Sequence, residues 1–132
     1  MRESANYYGT IQKSIENTID LIEKVNPNCS IIFTISPVRH IKDGFVENQW
    51  SKANLVTSIH QVLRNEHFKL NTEYFPSYEI MMDELRDYRF YEEDMLHPSS
   101  QAVEFIWQRF RAAYFGRAAE QFLEDWRPIR EA

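Results

Sequence analysis

The first stretch of the chain repeats apolar residues with the period of a helix. Isoleucines stand at positions 11, 15, 19 and 22, and charged side chains occupy the faces between them. This spacing predicts an amphipathic helix over about residues 3–25. Pro27 ends it, because proline disfavours helical geometry in the residue before it.

Two later stretches show the same helical spacing. Ser51 suits the N-cap position of a helix with apolar residues at 56, 59 and 63. Past Pro98 the apolar stripe is the clearest in the sequence, and Ser99 or Ser100 is expected to cap the helix that carries it. A shorter helical segment is predicted over residues 80–86. Another is predicted beyond Gly116, where Phe122, Leu123 and Trp126 suggest a short helix that ends before Pro128.

Between the helices, two short stretches have the composition of strands. Residues 29–36 form a nearly continuous apolar run rich in β-branched side chains, typical of a strand buried on both faces, and residues 72–75 form a second candidate. The order helix, strand, helix, strand, helix predicts an α/β fold with parallel strands and flanking helices. Because two strands alone leave backbone edges and apolar faces uncovered, we expect oligomerisation or a larger α/β domain.

The composition excludes several classes of function. The chain has 132 residues and only three glycines, all isolated. The sequence therefore contains neither a glycine-rich nucleotide-binding loop nor a glycine-flanked nucleophile elbow. Its formal charge is −5 and its basic residues are dispersed, which argues against nucleic acid as a partner. A lone Cys29 and the lack of an apolar run near the ~18 residues of a membrane span predict a cytoplasmic protein without a membrane span. No cofactor is indicated.

Ligands of open α/β sheets bind at the carboxyl ends of the strands, so the residues after each strand are candidates for a site. Arg39 and His40 follow the first predicted strand, and Tyr78 and Glu79 follow the second. We interpret these four as candidates for substrate contacts, and Arg39 in particular has a planar guanidinium that binds oxyanions bidentately. The alternative is structural: Arg39 would then pair with Glu79 or with an acid between residues 83 and 94.

A sharper candidate lies in the loop before the helix past Pro98, where Asp94 stands three residues before His97. An aspartate at this distance can accept a hydrogen bond from one imidazole nitrogen and leave the other as a general base. The alternative is that His97 packs beside the helix and Asp94 is a solvated acid. A metal site from His40, Glu79, Asp94 and His97 has no spacing that fixes its geometry, so no metal is expected.

Neither serine next to the predicted strands suits a nucleophile. Ser36 is followed by Pro37, which has no backbone N–H to donate to an oxyanion. Ser77 lacks the neighbouring glycines that a strained nucleophile elbow requires. Turn and capping roles are commoner for such serines.

Several segments occur in the order known from one bacterial family. They are IFTISPVRH (32–40), KDG (42–44), NQ (48–49), SK (51–52), YFPSYEI (74–80), DELRDYRFY (83–91) and DMLHPS (94–99). Together they resemble the GSCFA domain family. The resemblance covers residues 1–115 and corresponds to the C-terminal half of the family's domain, with residues 116–132 as a C-terminal helical tail.

The resemblance implies a fold and an activity. The family is grouped with the SGNH, or GDSL-like, esterases and acylhydrolases, whose domain is a flavodoxin-like three-layer α/β/α sandwich. In that superfamily a D-x-x-H block supplies the histidine base and its aspartate partner, which correspond here to His97 and Asp94. The stretch Gly-Ser-Cys-Phe-Ala, similar to the superfamily's nucleophile block, is absent from this sequence, as are the oxyanion-hole blocks.

Two functions are therefore expected. The first is the C-terminal portion of an SGNH-like hydrolase, in which Asp94 and His97 form one arm of a Ser-His-Asp site whose serine lies in the missing N-terminal half. Such a chain is expected to be inactive alone, and the substrate of the intact site would be an ester on a carbohydrate or a lipid. The alternative is a non-enzymatic α/β binding or structural module that forms a homo-oligomer.

Overall fold

A computed structural model describes residues 4–65 and 67–130 of the chain. Its α-helices and strands are, in order, α1 (Ser4–Val25), β1 (Ser30–Thr34), α2 (Phe45–Leu63), β2 (Asn71–Phe75), α3 (Ser77–Glu79), α4 (Ser100–Tyr114) and α5 (Arg117–Arg130). A π-helical turn (Ile80–Glu84) continues α3, and a 3-10 turn (Tyr88–Phe90) follows it. The predicted mixed α/β fold is confirmed, although Glu3, the expected first residue of α1, lies outside the described residues.

The two strands form a parallel pair, as the order of elements predicts. Their register runs from Ser30 opposite Asn71 to Thr34 opposite Phe75. The prediction that β1 is buried on both faces is wrong, because Ile32 is 37% exposed while its neighbours Ile31 and Phe33 are half-buried. Alternate residues of a strand point to opposite faces, and the face that carries Ile32 is covered only in part.

One face of the sheet packs on the first two helices. Ile19 of α1, Val62 of α2 and Leu70 before β2 are nearly free of solvent contact. They form a cluster with Ile31 and Phe33 of β1. This cluster exists because the isoleucine stripe of α1 and the apolar positions of α2 both face the same side of the strands.

The second cluster of buried residues lies between β2, the π-helical turn and α4. Its buried members are Phe75, Ile80, Met81, Leu85 and Ala102. Phe110 of α4 meets Phe75 edge to face, with ring centroids 5.1 Å apart. The apolar stripe of α4 thus covers β2 and the turn that follows it. The loop that carries Asp94 and His97 leads directly into this helix.

Helix α2 begins at Phe45, six residues before the predicted cap at Ser51. Gly44 precedes it with φ at 118°, a conformation that other residues rarely adopt. The apolar pattern missed the first turn because its buried residue, Asn48, is polar and its apolar residues Phe45 and Val46 are exposed. Asn48 and Lys52 are both buried, and each bonds to the backbone of the loop after β1.

The C-terminal helix also differs from its prediction. Helix α5 passes through Pro128 and ends at Arg130, whereas the proline was expected to end it. Proline disfavours a helix because it lacks a backbone N–H and its ring crowds the carbonyl four residues earlier, yet the helix continues for two described residues past Pro128. An ion pair between Arg111 of α4 and Glu120 of α5 links the two helices across Gly116.

The N-cap of α4 is confirmed as Ser99. Its hydroxyl accepts a hydrogen bond from the backbone N–H of Ala102 at 3.3 Å, and its own N–H donates to the carbonyl of Phe90. Pro98 does not start the helix, because it forms an antiparallel bridge with Tyr91. Ser99 therefore fixes both the start of α4 and the end of the loop before it.

We expect Ser99→Ala to lower the free energy of unfolding by about 1 kcal/mol, because the first turn of α4 loses its side-chain acceptor. Urea denaturation followed by circular dichroism measures the change. Ser100→Ala is the matched control, since Ser100 is already helical and exposed. An equal loss in both variants would contradict the capping role of Ser99.

Candidate functional site

Three chain segments meet at the carboxyl edge of the sheet, as expected from the positions of the strands. Pro37 follows β1, Ser77 follows β2 and Pro98 precedes α4, and all three line the same cavity. The hydroxyl of Ser77 donates to the carbonyl of Ile35 at 2.8 Å and lies 2.6 Å from the hydroxyl of Thr34. These bonds tie the end of one strand to the start of the segment after the other.

The turn over residues 94–97 is built around one carboxylate. One oxygen of Asp94, Oδ1, accepts hydrogen bonds from the backbone N–H of Leu96 at 2.8 Å and of His97 at 3.0 Å. The other oxygen, Oδ2, lies 2.5 Å from Nδ1 of His97. The same side chain therefore folds the turn and orients the ring, and Met95 inside the turn takes a φ of 63°.

The electrostatics of this turn determine which nitrogen of His97 carries hydrogen. The backbone N–H of His97, the ring of His97 and the N–H of Leu96 together lower the pKa of Asp94 to about 2. An ionised carboxylate only accepts hydrogen bonds, so Nδ1 must be the donor. In the described part of the chain Nε2 has no hydrogen-bond partner, and the side chain of His97 is 59% exposed.

Arg39 lies beside this turn, and in the described residues it does not form the ion pair that the structural alternative predicts. Its Nη1 reaches the carbonyl of Met95 at 3.5 Å and its Nη2 reaches Sδ of Met82 at 3.5 Å. Its guanidinium carbon lies 4.9 Å from the centre of the Tyr91 ring. Glu79 is not its partner, because both carboxylate oxygens of Glu79 accept from the Tyr74 hydroxyl at 2.9 Å.

The structure does not bring His40, Tyr78 and Glu79 into hydrogen-bond contact with Asp94 or His97 in the described residues. The side chain of His40 is exposed, and its backbone N–H donates to Oδ1 of Asn48 at 2.7 Å. The hydroxyl of Tyr78 donates to Gln49 at 3.0 Å. Among the described residues, no three histidine, cysteine or acidic side chains gather where they could hold a metal ion.

Lys52 is the residue at this edge that the sequence pattern did not single out. Its Nζ donates to the carbonyl of Ser36 at 2.6 Å, and it lies 5.8 Å from the centre of the Tyr78 ring. Burial lowers the pKa of Lys52. A signal was present, because Asn48 and Lys52 are four residues apart and so share one face of a helix.

An apolar cavity at this edge has a volume of about 510 Å³. Its lining consists mostly of apolar side chains from β1, β2 and α4, together with the residue that follows His97: Ile32, Thr34, Pro37, Phe75, Ser77, Pro98, Val103, Ile106, Trp107 and Phe110. It opens on the partly covered face of β1. The cavity therefore reaches the residue next to the oriented histidine.

The fold and the site together define an α/β protein that carries an aspartate–histidine pair at the carboxyl edge of a parallel sheet. A family model described as the GSCFA family matches residues 3–110. The chain belongs to the GSCFA family, which confirms the resemblance found in the sequence. No curated protein and no solved structure matches the chain at a significant level. None of the described helices is long and apolar enough to cross a membrane.

The pH dependence of Asp94 tests the geometry of the turn. Because the pKa of Asp94 is lowered in the folded chain, the ionised carboxylate stabilises the fold above about pH 4, and this contribution is lost as the pH falls toward about 2. We expect a carboxyl-carbon NMR titration to give a midpoint of about 2 for Asp94.

His97→Ala is the control for this titration. It removes the ring donor but keeps both backbone donors, so the Asp94 midpoint is expected to rise and yet stay below the ordinary value of 3.8. A midpoint near 3.8 in the unsubstituted chain would show that the three hydrogen bonds do not form in solution.

Proposed function

We propose that this chain supplies the histidine–aspartate arm of a serine-hydrolase site of the SGNH type. The observation that carries the proposal is the double role of Asp94, whose two oxygens fold the turn and orient the His97 ring. The position of the pair at the carboxyl edge of a parallel sheet, where ligands of open α/β sheets bind, adds support. Membership of the GSCFA family is consistent with it.

In this proposal His97 acts as general base and then as general acid. Nε2 accepts the proton of a serine hydroxyl as the serine oxygen attacks the ester carbonyl, and it later donates that proton to the leaving alkoxide. Asp94 keeps hydrogen on Nδ1 and stabilises the positive charge that the ring gains. The exposure of the ring leaves room for a partner on the Nε2 side.

The serine itself is proposed to come from sequence outside these 132 residues. The hydroxyl of Ser77 is buried and already bonded to Ile35 and Thr34, which leaves it poorly placed to attack a substrate. Ser36 accepts a hydrogen bond from the N–H of Val38, and the residue after it is Pro37. Both hydroxyls thus take part in the hydrogen bonds of the strand ends.

Further parts of the proposal concern the whole domain. Residues 1–115 would form the C-terminal half of a flavodoxin-like three-layer sandwich, and residues 116–132 a helical tail. Arg39, His40, Tyr78 and Glu79 would contact an ester of a carbohydrate or a lipid. The apolar cavity beside Pro98 favours a substrate with an acyl chain. The reaction would need no cofactor, and the cytoplasm is the proposed location.

The reactivity of His97 toward diethyl pyrocarbonate tests the proposed base without requiring the serine. The reagent forms a bond between its carbonyl carbon and an unprotonated imidazole nitrogen, and carbon dioxide and ethanol leave. At a pH where both rings are neutral, we expect His97 to be modified severalfold faster than His67, another exposed histidine, because Asp94 holds hydrogen on Nδ1 and leaves Nε2 of His97 unprotonated. Peptide mass spectrometry after timed quenching measures both rates.

Asp94→Asn is the matched variant for this experiment. It keeps an oxygen for the backbone N–H groups but removes the charge, so the rate at His97 should fall toward that of His67. Rates at His97 that are equal in the unsubstituted chain and in Asp94→Asn would contradict the proposed activation.

A separate assay tests whether the chain is active alone. The unmodified, unsubstituted chain is expected to hydrolyse 4-nitrophenyl acetate no faster than His97→Ala does. Turnover lost in that variant would place a complete site in this chain.

A second function is favoured by one observation, the exposed apolar surface on the free side of β1. Among the described residues β1 pairs only with β2, so its other edge has free backbone donors and acceptors. Beside it, Val103 is 55% exposed and Trp107 is 38% exposed. Such edges pair readily with another chain, so we propose a structural or binding module that forms a homo-oligomer as the alternative.

Size-exclusion chromatography with light scattering separates the two functions. The oligomeric module predicts a dimer that Val103→Glu converts to a monomer, because a buried charge would oppose the apolar contact. Val46→Glu is the matched control, since Val46 is 75% exposed on α2. A monomer with a cooperative thermal transition would contradict this second function.

A further inference from the structure

A half-buried cation without a carboxylate partner lies behind the turn that holds His97. The guanidinium of Arg39 contacts a thioether sulfur, a carbonyl oxygen at 3.5 Å and the face of the Tyr91 ring. In the described residues it forms no ion pair. Charged side chains that lose water contact are normally paired, since removing a charge from water costs free energy.

Four acidic side chains near this site have other partners: Glu79 pairs with Tyr74, Glu84 with Arg109, Asp87 with the N–H and the side chain of Arg89, and Asp94 with His97. The other nearby acids are exposed, and in the described residues none of them forms an ion pair with Arg39: Asp43, Asp83, Glu92 and Glu93. Local acids therefore leave the positive charge of Arg39 uncompensated.

Arg39 shares an open cavity of about 360 Å³ with a second guanidinium, that of Arg86. Arg86 is exposed and has no carboxylate partner among the described residues. The remaining lining consists of Met82, Asp87, Tyr88 and Tyr91. Two guanidinium groups and one carboxylate give the cavity a net positive charge, and the tyrosines add ring faces and hydroxyls.

A change in helix type places these groups together. The turn over Ile80–Glu84 is π-helical, an arrangement that is rare and frequently found at functional sites. Met82 lies inside this turn with its sulfur against Arg39, and Arg86 follows two residues after its end. The wider turn therefore sets both the partner of the first arginine and the position of the second.

We propose that Arg39 and Arg86 bind an oxyanion, the phosphate or carboxylate group of a small molecule, in this cavity. Guanidinium groups match such anions because their planar N–H donors form paired, charge-assisted hydrogen bonds. The site goes beyond the proposed hydrolase function, in which Arg39 contacts an ester substrate, and it does not require that function. The contact between Arg39 and the Met95 carbonyl places the bound anion next to the turn that carries His97.

The test is a titration of the whole chain with inorganic phosphate at constant ionic strength, with sodium chloride as the compensating salt. The side-chain Nε–H signals of Arg39 and Arg86 in a proton–nitrogen correlation spectrum report binding directly. We expect both signals to shift and to saturate together. A second arm with sodium acetate distinguishes the sources of the anion, because tighter binding of acetate assigns the site to carboxylates and tighter binding of phosphate to phosphates.

Two exposed variants keep the test independent of folding. Arg86→Gln is expected to raise the dissociation constant about tenfold, because one pair of charge-assisted hydrogen bonds is lost. Asp87→Asn should lower the dissociation constant, because a negative charge leaves the cavity while an oxygen remains to accept the Arg89 N–H. Arg64→Gln, at the end of α2, should change nothing. Shifts that never saturate, or an unchanged dissociation constant in Arg86→Gln, would overturn the proposal.

Discussion

The parallel pairing of β1 with β2 is the constraint on which the rest of the structure depends. Parallel strands end at the same edge of a sheet, so the segments after β1 and β2 lie side by side. The same pairing separates two faces, and α1 and α2 cover one while α4 covers part of the other. Because α4 must begin beside β2 to cover it, the loop that precedes α4 is carried to that edge together with His97.

Within that frame the candidate site depends on local hydrogen bonding more than on burial. Asp94 and His97 are both exposed, and burial has little influence on the pKa of Asp94. The carboxylate is held ionised by three donors from the turn it closes, so the histidine is oriented before any partner arrives. Preorganisation of this kind suits the general-base role that we propose for His97.

The parts of the fold that were predictable from the sequence have strong patterns of their own. The β-branched run of β1, the apolar stripe of α4 and the spacing of Asp94 and His97 each specify a local structure. The start of α2 was hidden because Asn48 occupies a core-facing position and accepts a hydrogen bond from the backbone of the loop after β1. The partners of Arg39 were equally hidden, since they include a sulfur and a ring that only the folded chain brings together.

The tautomer of His97 tests the central claim, that one carboxylate fixes the ring with Nε2 free to accept a proton. Long-range proton–nitrogen NMR spectra, recorded at a pH where the ring is neutral, distinguish the two ring nitrogens. The account predicts hydrogen on Nδ1 of His97 and a loss of that preference in Asp94→Asn. A His97 ring with hydrogen mainly on Nε2, or one with the same tautomer ratio as the exposed His67, would contradict it.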